Sequence, residues 1–253
     1  MARPAISSVN DERHGAVMLA IDTSKSMLAE DVAPNRLARA KLAALDLRRL
    51  SRSDRVGLIA FAGSAFLQMP MSVDEDVFRQ HLDSLDTSTL PQGGTAIAEA
   101  IQTAHNTFKA GSGDNHRALV IFTDGEDHDP SALEAATAAA KDGLHIFTIG
   151  IGTPDGELLR VHDAKGRTDF IKDEEGNVVK SRLNESLLQD VARALCREER
   201  VAVHEERLRD RLLEVHHGSD DRGQLGLQVV ALVEHERHVG AGLVQAPADI
   251  AAD

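Results

Sequence analysis

Short apolar runs alternate with helical patterns from residue 16 to about residue 152, and this alternation restricts the fold more than any other feature. It is the signature of βαβ units on a mostly parallel sheet. The first run is Ala16-Val17-Met18-Leu19-Ala20-Ile21. Residues 35–50 then place Leu37, Ala40, Ala44 and Leu47 on one helical face. Residues 55–61 read as a second strand. Residues 65–69 follow so closely that they imply a hairpin and an antiparallel edge. Residues 74–85 and 95–109 read as helices, 117–123 as an apolar strand, 131–141 as an Ala-rich helix and 143–149 as a further strand. Runs apolar on both faces suit burial between helical layers. The expected fold is α/β: a doubly wound, Rossmann-like, mostly parallel sheet with one short antiparallel edge strand and helices on both faces.

Beyond Gly152 the texture changes. Residues 155–180 are polar, and Glu174-Glu175-Gly176-Asn177 before Val178-Val179 reads as a hairpin. Residues 184–195 form an amphipathic helical pattern with Asn184 as its N-cap. From Cys196 the chain is dense in charge, with a narrow stripe of Val201, Leu208, Leu212 and Val215, and after Gly218 only residues 225–233 are apolar. The expected organisation is an N-terminal arm over 1–14, a domain over 15–195 carrying the 155–180 excursion, and a charged, helical or frayed tail over 196–253.

The first strand pattern ends in Asp22-Thr23-Ser24-Lys25-Ser26, one carboxylate and two hydroxyls at alternate positions on a tight loop. Such oxygen donors suit a hard divalent cation, which prefers near-octahedral oxygen coordination. Taken alone the pentapeptide is also what strand ends and helix caps use. Two later segments strengthen it. Thr95 follows Gly93-Gly94, and Asp124 stands where the 117–123 strand ends. In open parallel sheets, ligands collect beyond the carboxyl ends of the strands, near the switch point of strand order. Asp22, Ser24, Ser26, Thr95 and Asp124 are therefore candidate ligands for Mg2+, with Mn2+ or Ca2+ as alternatives.

These residues carry a resemblance. Asp22-x-Ser24-x-Ser26, Thr95 after its glycines, and Asp124-Gly125 resemble the metal-ion-dependent adhesion site of von Willebrand factor type A domains, over roughly residues 16–194. Glu30-Asp31 with Pro34-Asn35-Arg36-Leu37, Asp54-Arg55-Val56-Gly57-Leu58, Phe61-Ala62-Gly63, and Gly176-Asn177-Val178-Val179 with Ser181-Arg182-Leu183 are similar to bacterial aerotolerance (Bat-type) proteins. The resemblance implies hydroxyl ligation by Ser24, Ser26 and Thr95, with Asp22 and Asp124 acting directly or through water. It implies a non-enzymatic binding module, a protein partner offering an acidic side chain, association with a MoxR-type AAA ATPase, and a location at the inner membrane. Bat-type proteins usually carry flanking membrane helices. They also continue after the helix at 184–194 with a Gly-Gly turn and an edge strand. This sequence instead reads Leu195-Cys196-Arg197-Glu198, so either residues 225–233 supply that edge, the sheet is a strand short, or the tail is foreign to the family.

Composition excludes other classes. The net charge is −13 and aromatics make up 3% of the chain, without Trp or Tyr, so neither phosphate neutralisation nor base stacking favours nucleic acid. A single cysteine, Cys196, leaves no internal disulfide. No apolar stretch reaches the roughly 18 residues that span a bilayer, and the N-terminus lacks a signal-peptide core, so the sequence as written reads as soluble and cytoplasmic.

Enzymatic readings have weaker support. Glu126, Asp127, His128 and Asp129 could form an acid/base set beside a metal, or simply a solvated loop. Those acids, with Glu30 and Asp31, would repel an acidic partner until a cation is bound. Asp22 could act as a phosphorylated nucleophile, but Ser24 stands where haloacid-dehalogenase-like phosphatases place a second Asp. A vestigial site on a structural domain is the remaining alternative. Phosphate-loop and Gly-x-Ser-x-Gly motifs are both missing. His216, His217, His235 and His238 read as exposed tail residues.

Overall fold

The computed structural model describes residues 15–88, 94–111, 116–126, 131–162, 168–172, 175–193, 208, 210–212 and 227–231. In chain order the elements are β1 (Ala16–Asp22), a 3-10 turn (Lys25–Leu28), α1 (Arg36–Leu50), β2 (Arg55–Phe61), β3 (Ala65–Ser72), α2 (Glu75–Asp83), α3 (Ile97–Ala110), β4 (Arg117–Thr123), α4 (Ser131–Lys141) and β5 (Leu144–Ile151). Four short strands follow: β6 (Glu157–Leu158), β7 (Arg160–His162), β8 (Thr168–Phe170) and β9 (Lys180–Ser181). The described chain closes with α5 (Glu185–Arg193) and β10 (Leu227–Ala231).

The main sheet has six strands in the order β10-β5-β4-β1-β2-β3. Its centre is parallel, and every residue of β1 is buried. Alternation along β1 feeds two cores. Val17, Leu19 and Ile21 join α1 and α2 on one face, while Ala16, Met18 and Ala20 join α3, α4 and α5 on the other. The expected doubly wound sheet is present. Its antiparallel β3 edge runs to Ser72, longer than the pattern over 65–69 implied. Pro70 is tolerated there because an edge strand need not donate on both sides.

A second antiparallel strand, β10, pairs with β5 on the opposite edge, so residues 225–233 do supply the strand that the sequence left open. Residues 208 and 210–212 of the tail are also joined to the domain. Leu208 and Leu212 are buried in the α1 core, and Arg211 pairs with Asp54 at 2.7 Å beneath the sheet. Cys196, His216, His217, His235 and His238 lie outside the described residues, as does the 1–14 arm.

Three helix starts follow from capping. Asn35 accepts from the Ala38 N–H at 2.8 Å, and Asp74 accepts from Asp76 and Val77. Asn184 likewise caps α5, accepting from Leu187 at 3.3 Å. Helix α3 begins later than the pattern suggested: Thr95 lies in the loop before it, and Ala96 is the N-cap. The cause is a tether, since the Ala96 N–H donates to the Ala62 carbonyl at 2.6 Å and holds this stretch against the end of β2.

The 155–180 excursion is a small meander. β6 pairs with β9, β7 with β8, and Lys172 bridges Val178. Arg160 stacks over Phe170, 5.9 Å from the ring centre.

Candidate metal centre

Strand order reverses beside β1: the chain builds β2 and β3 to one side, then crosses to β4 on the other. Register brings the carboxyl ends together, with Asp22 opposite Phe61 and Ile21 opposite Phe122. Asp22 and Asp124 therefore flank one crevice at the switch point, and both are fully buried.

The Asp22 loop is tightly built. The Asp22 carboxylate accepts the Ser24 N–H at 2.8 Å through Oδ1 and the Thr123 hydroxyl at 2.5 Å through Oδ2. Thr23 pins the loop to β2, its N–H donating to the Phe61 carbonyl at 2.7 Å. The Ser24 and Ser26 hydroxyls stand 2.9 Å apart. Neighbouring ligands on an octahedral ion with bonds of about 2.1 Å lie about 3 Å apart, so this spacing fits a small divalent cation. Burial, then the charge of Asp124, pushes the Asp22 carboxyl up to about 7. Two buried carboxylates facing one crevice, one of them held by neutral donors, suit a cation better than water. Among the described residues no group of three His, Cys, Asp or Glu could hold a metal, so a site here rests on hydroxyls as much as carboxylates.

Thr95 is half-buried, on the loop that Ala96 ties to Ala62. Thr23 and Ala96 thus bond the neighbouring carbonyls of Phe61 and Ala62. The structure brings Asp22, Ser24, Ser26 and Asp124 to the crevice and sets the Thr95 loop along the same strand end.

Asp124 has different company from Asp22. Arg36 Nη1 donates to its Oδ2 at 2.8 Å, the Ser181 hydroxyl donates to the same oxygen at 3.4 Å, and the Glu126 N–H donates to Oδ1 at 3.2 Å. Glu126 turns away to accept the Arg182 N–H at 2.6 Å, and burial beside Asp124 raises its carboxyl. Of the acidic run weighed as an acid/base set, Asp127, His128 and Asp129 lie outside the described residues. Asp31, on the loop before α1, accepts from Arg36 and from the Thr153 N–H and hydroxyl. Partial burial opposes its charge, but Arg36 overcomes this and holds the Asp31 carboxyl below the usual range.

Arg36, Thr123, Ser181 and Asp31 escaped the reading of the sequence as site residues. One sign was available for Arg36. A cation in the first turn of a helix opposes the dipole and needs an anionic partner elsewhere.

Comparison with known proteins gives these residues a family. Residues 17–126 match the von Willebrand factor type A domain model. The chain is 36% identical to an aerotolerance-related membrane protein from Bacteroides fragilis, with a TM-score of 0.69, over 80% of this chain and 99% of that one. Similarity to BatB from Bacteroides thetaiotaomicron is equivalent: 36% identity and a TM-score of 0.68, over 79% and 98% of the two chains. A UPF0353 protein of Mycolicibacterium paratuberculosis is 35% identical over 153 residues, which is 56% of this chain and 46% of the relative. The chain thus spans about half the length of the curated relatives it matches. Among the described residues no helix is long and apolar enough to cross a membrane. With the reversal of strand order, the buried Asp22 loop and these likenesses in hand, the chain belongs to the von Willebrand factor type A domain family, in its bacterial aerotolerance-related branch.

Proposed function

We propose that this domain is a cation-dependent protein-binding module, in which Asp22, Ser24, Ser26, Thr95 and Asp124 hold Mg2+, or Mn2+ or Ca2+ in its place, and present it to a carboxylate of a partner protein. The observation that carries the reading is the pair of hydroxyls of Ser24 and Ser26, 2.9 Å apart beside two fully buried carboxylates. A bound ion would supply one open coordination position for an anionic ligand. The residues do the rest. Hydroxyl donors leave most of the positive charge unquenched, and the Thr23 tether keeps the loop from drifting.

Catalysis is not part of the proposal. Asp22 fits a ligand acting on the ion through water better than a nucleophile, since its two oxygens already accept from the Ser24 N–H and the Thr123 hydroxyl. Glu126, the described member of the acidic run, has an oxygen committed to the Arg182 N–H.

On the resemblance of this sequence to Bat-type proteins, we propose a partner in a bacterial stress complex, with a MoxR-type AAA ATPase as the first candidate. The Bacteroides fragilis relative is described as a membrane protein. We place this domain at the inner membrane through partners or through further chain.

Titration of Mn2+ by calorimetry tests the site. Wild type binds, Asp22→Ala binds at least about a hundredfold more weakly, and Thr95→Ala binds measurably more weakly. A pull-down with magnesium or with EDTA tests the module: capture that is equal in both would defeat the reading.

A further inference from the structure

Arg36 is a fully buried cation in direct contact with a candidate ligand of a cation. The arrangement is costly unless it serves the site, because a positive charge beside an incoming dication opposes its binding. It is also thoroughly built. Nε and Nη2 donate to the two oxygens of Asp31 at 2.8 and 2.7 Å. Nη1 donates to Asp124 Oδ2 at 2.8 Å and to the Ser181 hydroxyl, and Nη2 reaches the Ser181 carbonyl at 3.3 Å. Each of the five guanidinium N–H groups therefore has an acceptor. Gly152 makes the room: at its φ of +137°, an added Cβ would lie 2.8 Å from Arg36 Nε.

Charge counting shows what this does. Asp22, Asp124 and Asp31 together bring three negative charges to the site and to the guanidinium beside it, one more than a dication neutralises. Arg36 offsets one of the three, so the loaded site is neutral overall rather than negative and does not repel a partner carboxylate from the ion. Asp31, on the far side of the guanidinium, tempers that effect without touching the described ligands.

Resting on the metal-site reading above, we propose that Arg36 sets the charge of the cation site, so that the ion is held firmly only when an anionic ligand completes its shell. Mn2+ is titrated into the folded protein by calorimetry in chloride buffer, and again with excess acetate. Wild type binds Mn2+ more tightly with acetate. Arg36→Met binds Mn2+ at least about tenfold more tightly in chloride and gains little from acetate, while Arg36→Lys, which keeps the charge, stays within about threefold of wild type.

Asp31→Asn removes the charge that tempers Arg36 and binds more weakly, and because the pair is buried added salt changes this little. A guanidinium that merely props up the fold predicts weaker binding in Arg36→Met as well, and that result overturns the inference. So does a Lys variant as tight as the Met variant. Should Arg36→Met not fold, Asp31→Asn decides: unchanged affinity overturns the proposal and weakened affinity supports it. A wild type that takes no Mn2+ sinks the metal-site reading itself, whereas a wild type that binds alongside indifferent variants sinks only the role of Arg36.

Discussion

Asp22 and Asp124 share a crevice but differ in what surrounds them. Asp124 leans on a guanidinium, whereas Asp22 is held by an amide and a hydroxyl. The consequence is a pH dependence with a definite sign. Burial and the charge of Asp124 raise the Asp22 carboxyl from 3.8 to about 7. A raised acid stabilises the folded state below its unfolded value, and that contribution is lost as pH rises through the folded one. Metal-free protein therefore loses melting temperature between about pH 4 and pH 7 from this group, a trend that Asp22→Asn removes in a thermal scan. Protons and cations compete for the same oxygen, so the Mn2+ dissociation constant rises about tenfold per unit of pH below 7. That Asp22 and Asp124 meet was legible because each stands at the carboxyl end of a strand in a parallel sheet. Arg36 was not, since it joins residues far apart in sequence, Asp31, Asp124 and Ser181, that only the fold brings together.

At the level of elements, local rules carried most of the boundaries. β2, β4 and α4 run as their apolar patterns indicate, and α1 and α5 start at their Asn caps. Asn35→Ala should cost about 1 kcal/mol in urea unfolding, because the Ala38 amide loses its acceptor. Gly152→Ala should cost more, about 2–3 kcal/mol, through a left-handed backbone and a Cβ pressed on the Arg36 guanidinium. The same substitution at Gly143, also at positive φ but with nothing within 4 Å of the added Cβ, carries the backbone penalty alone and is the control. Strands β6 to β9 were legible only as a hairpin-like excursion. At two or three residues each they are too short to show a period, and pairing across the meander fixes them.

At the scale of the molecule, the sheet has a working pole and an anchoring pole. Asp22 and Asp124 lie at one. At the other, Asp54 accepts from the Gly15 N–H at 2.9 Å and from Arg211 at 2.7 Å, which fastens the tail to the start of β1. The stripe of Val201, Leu208, Leu212 and Val215 suited an exposed helix or a packed one, and among the described residues the fold buries Leu208 and Leu212. A chain ending at residue 193 should lose at least about 3 kcal/mol in urea unfolding, the burial of two leucines alone.

Removing the tail would also unmask β5, because β10 is the strand that covers it. Seven of its eight residues are buried, and its backbone would then offer unpaired donors and acceptors to any similar chain. The severed protein should therefore polymerise side by side, visible as concentration-dependent growth in light scattering, while the full chain stays constant in size. What reads as a ragged extension is, on this geometry, a guard against self-assembly.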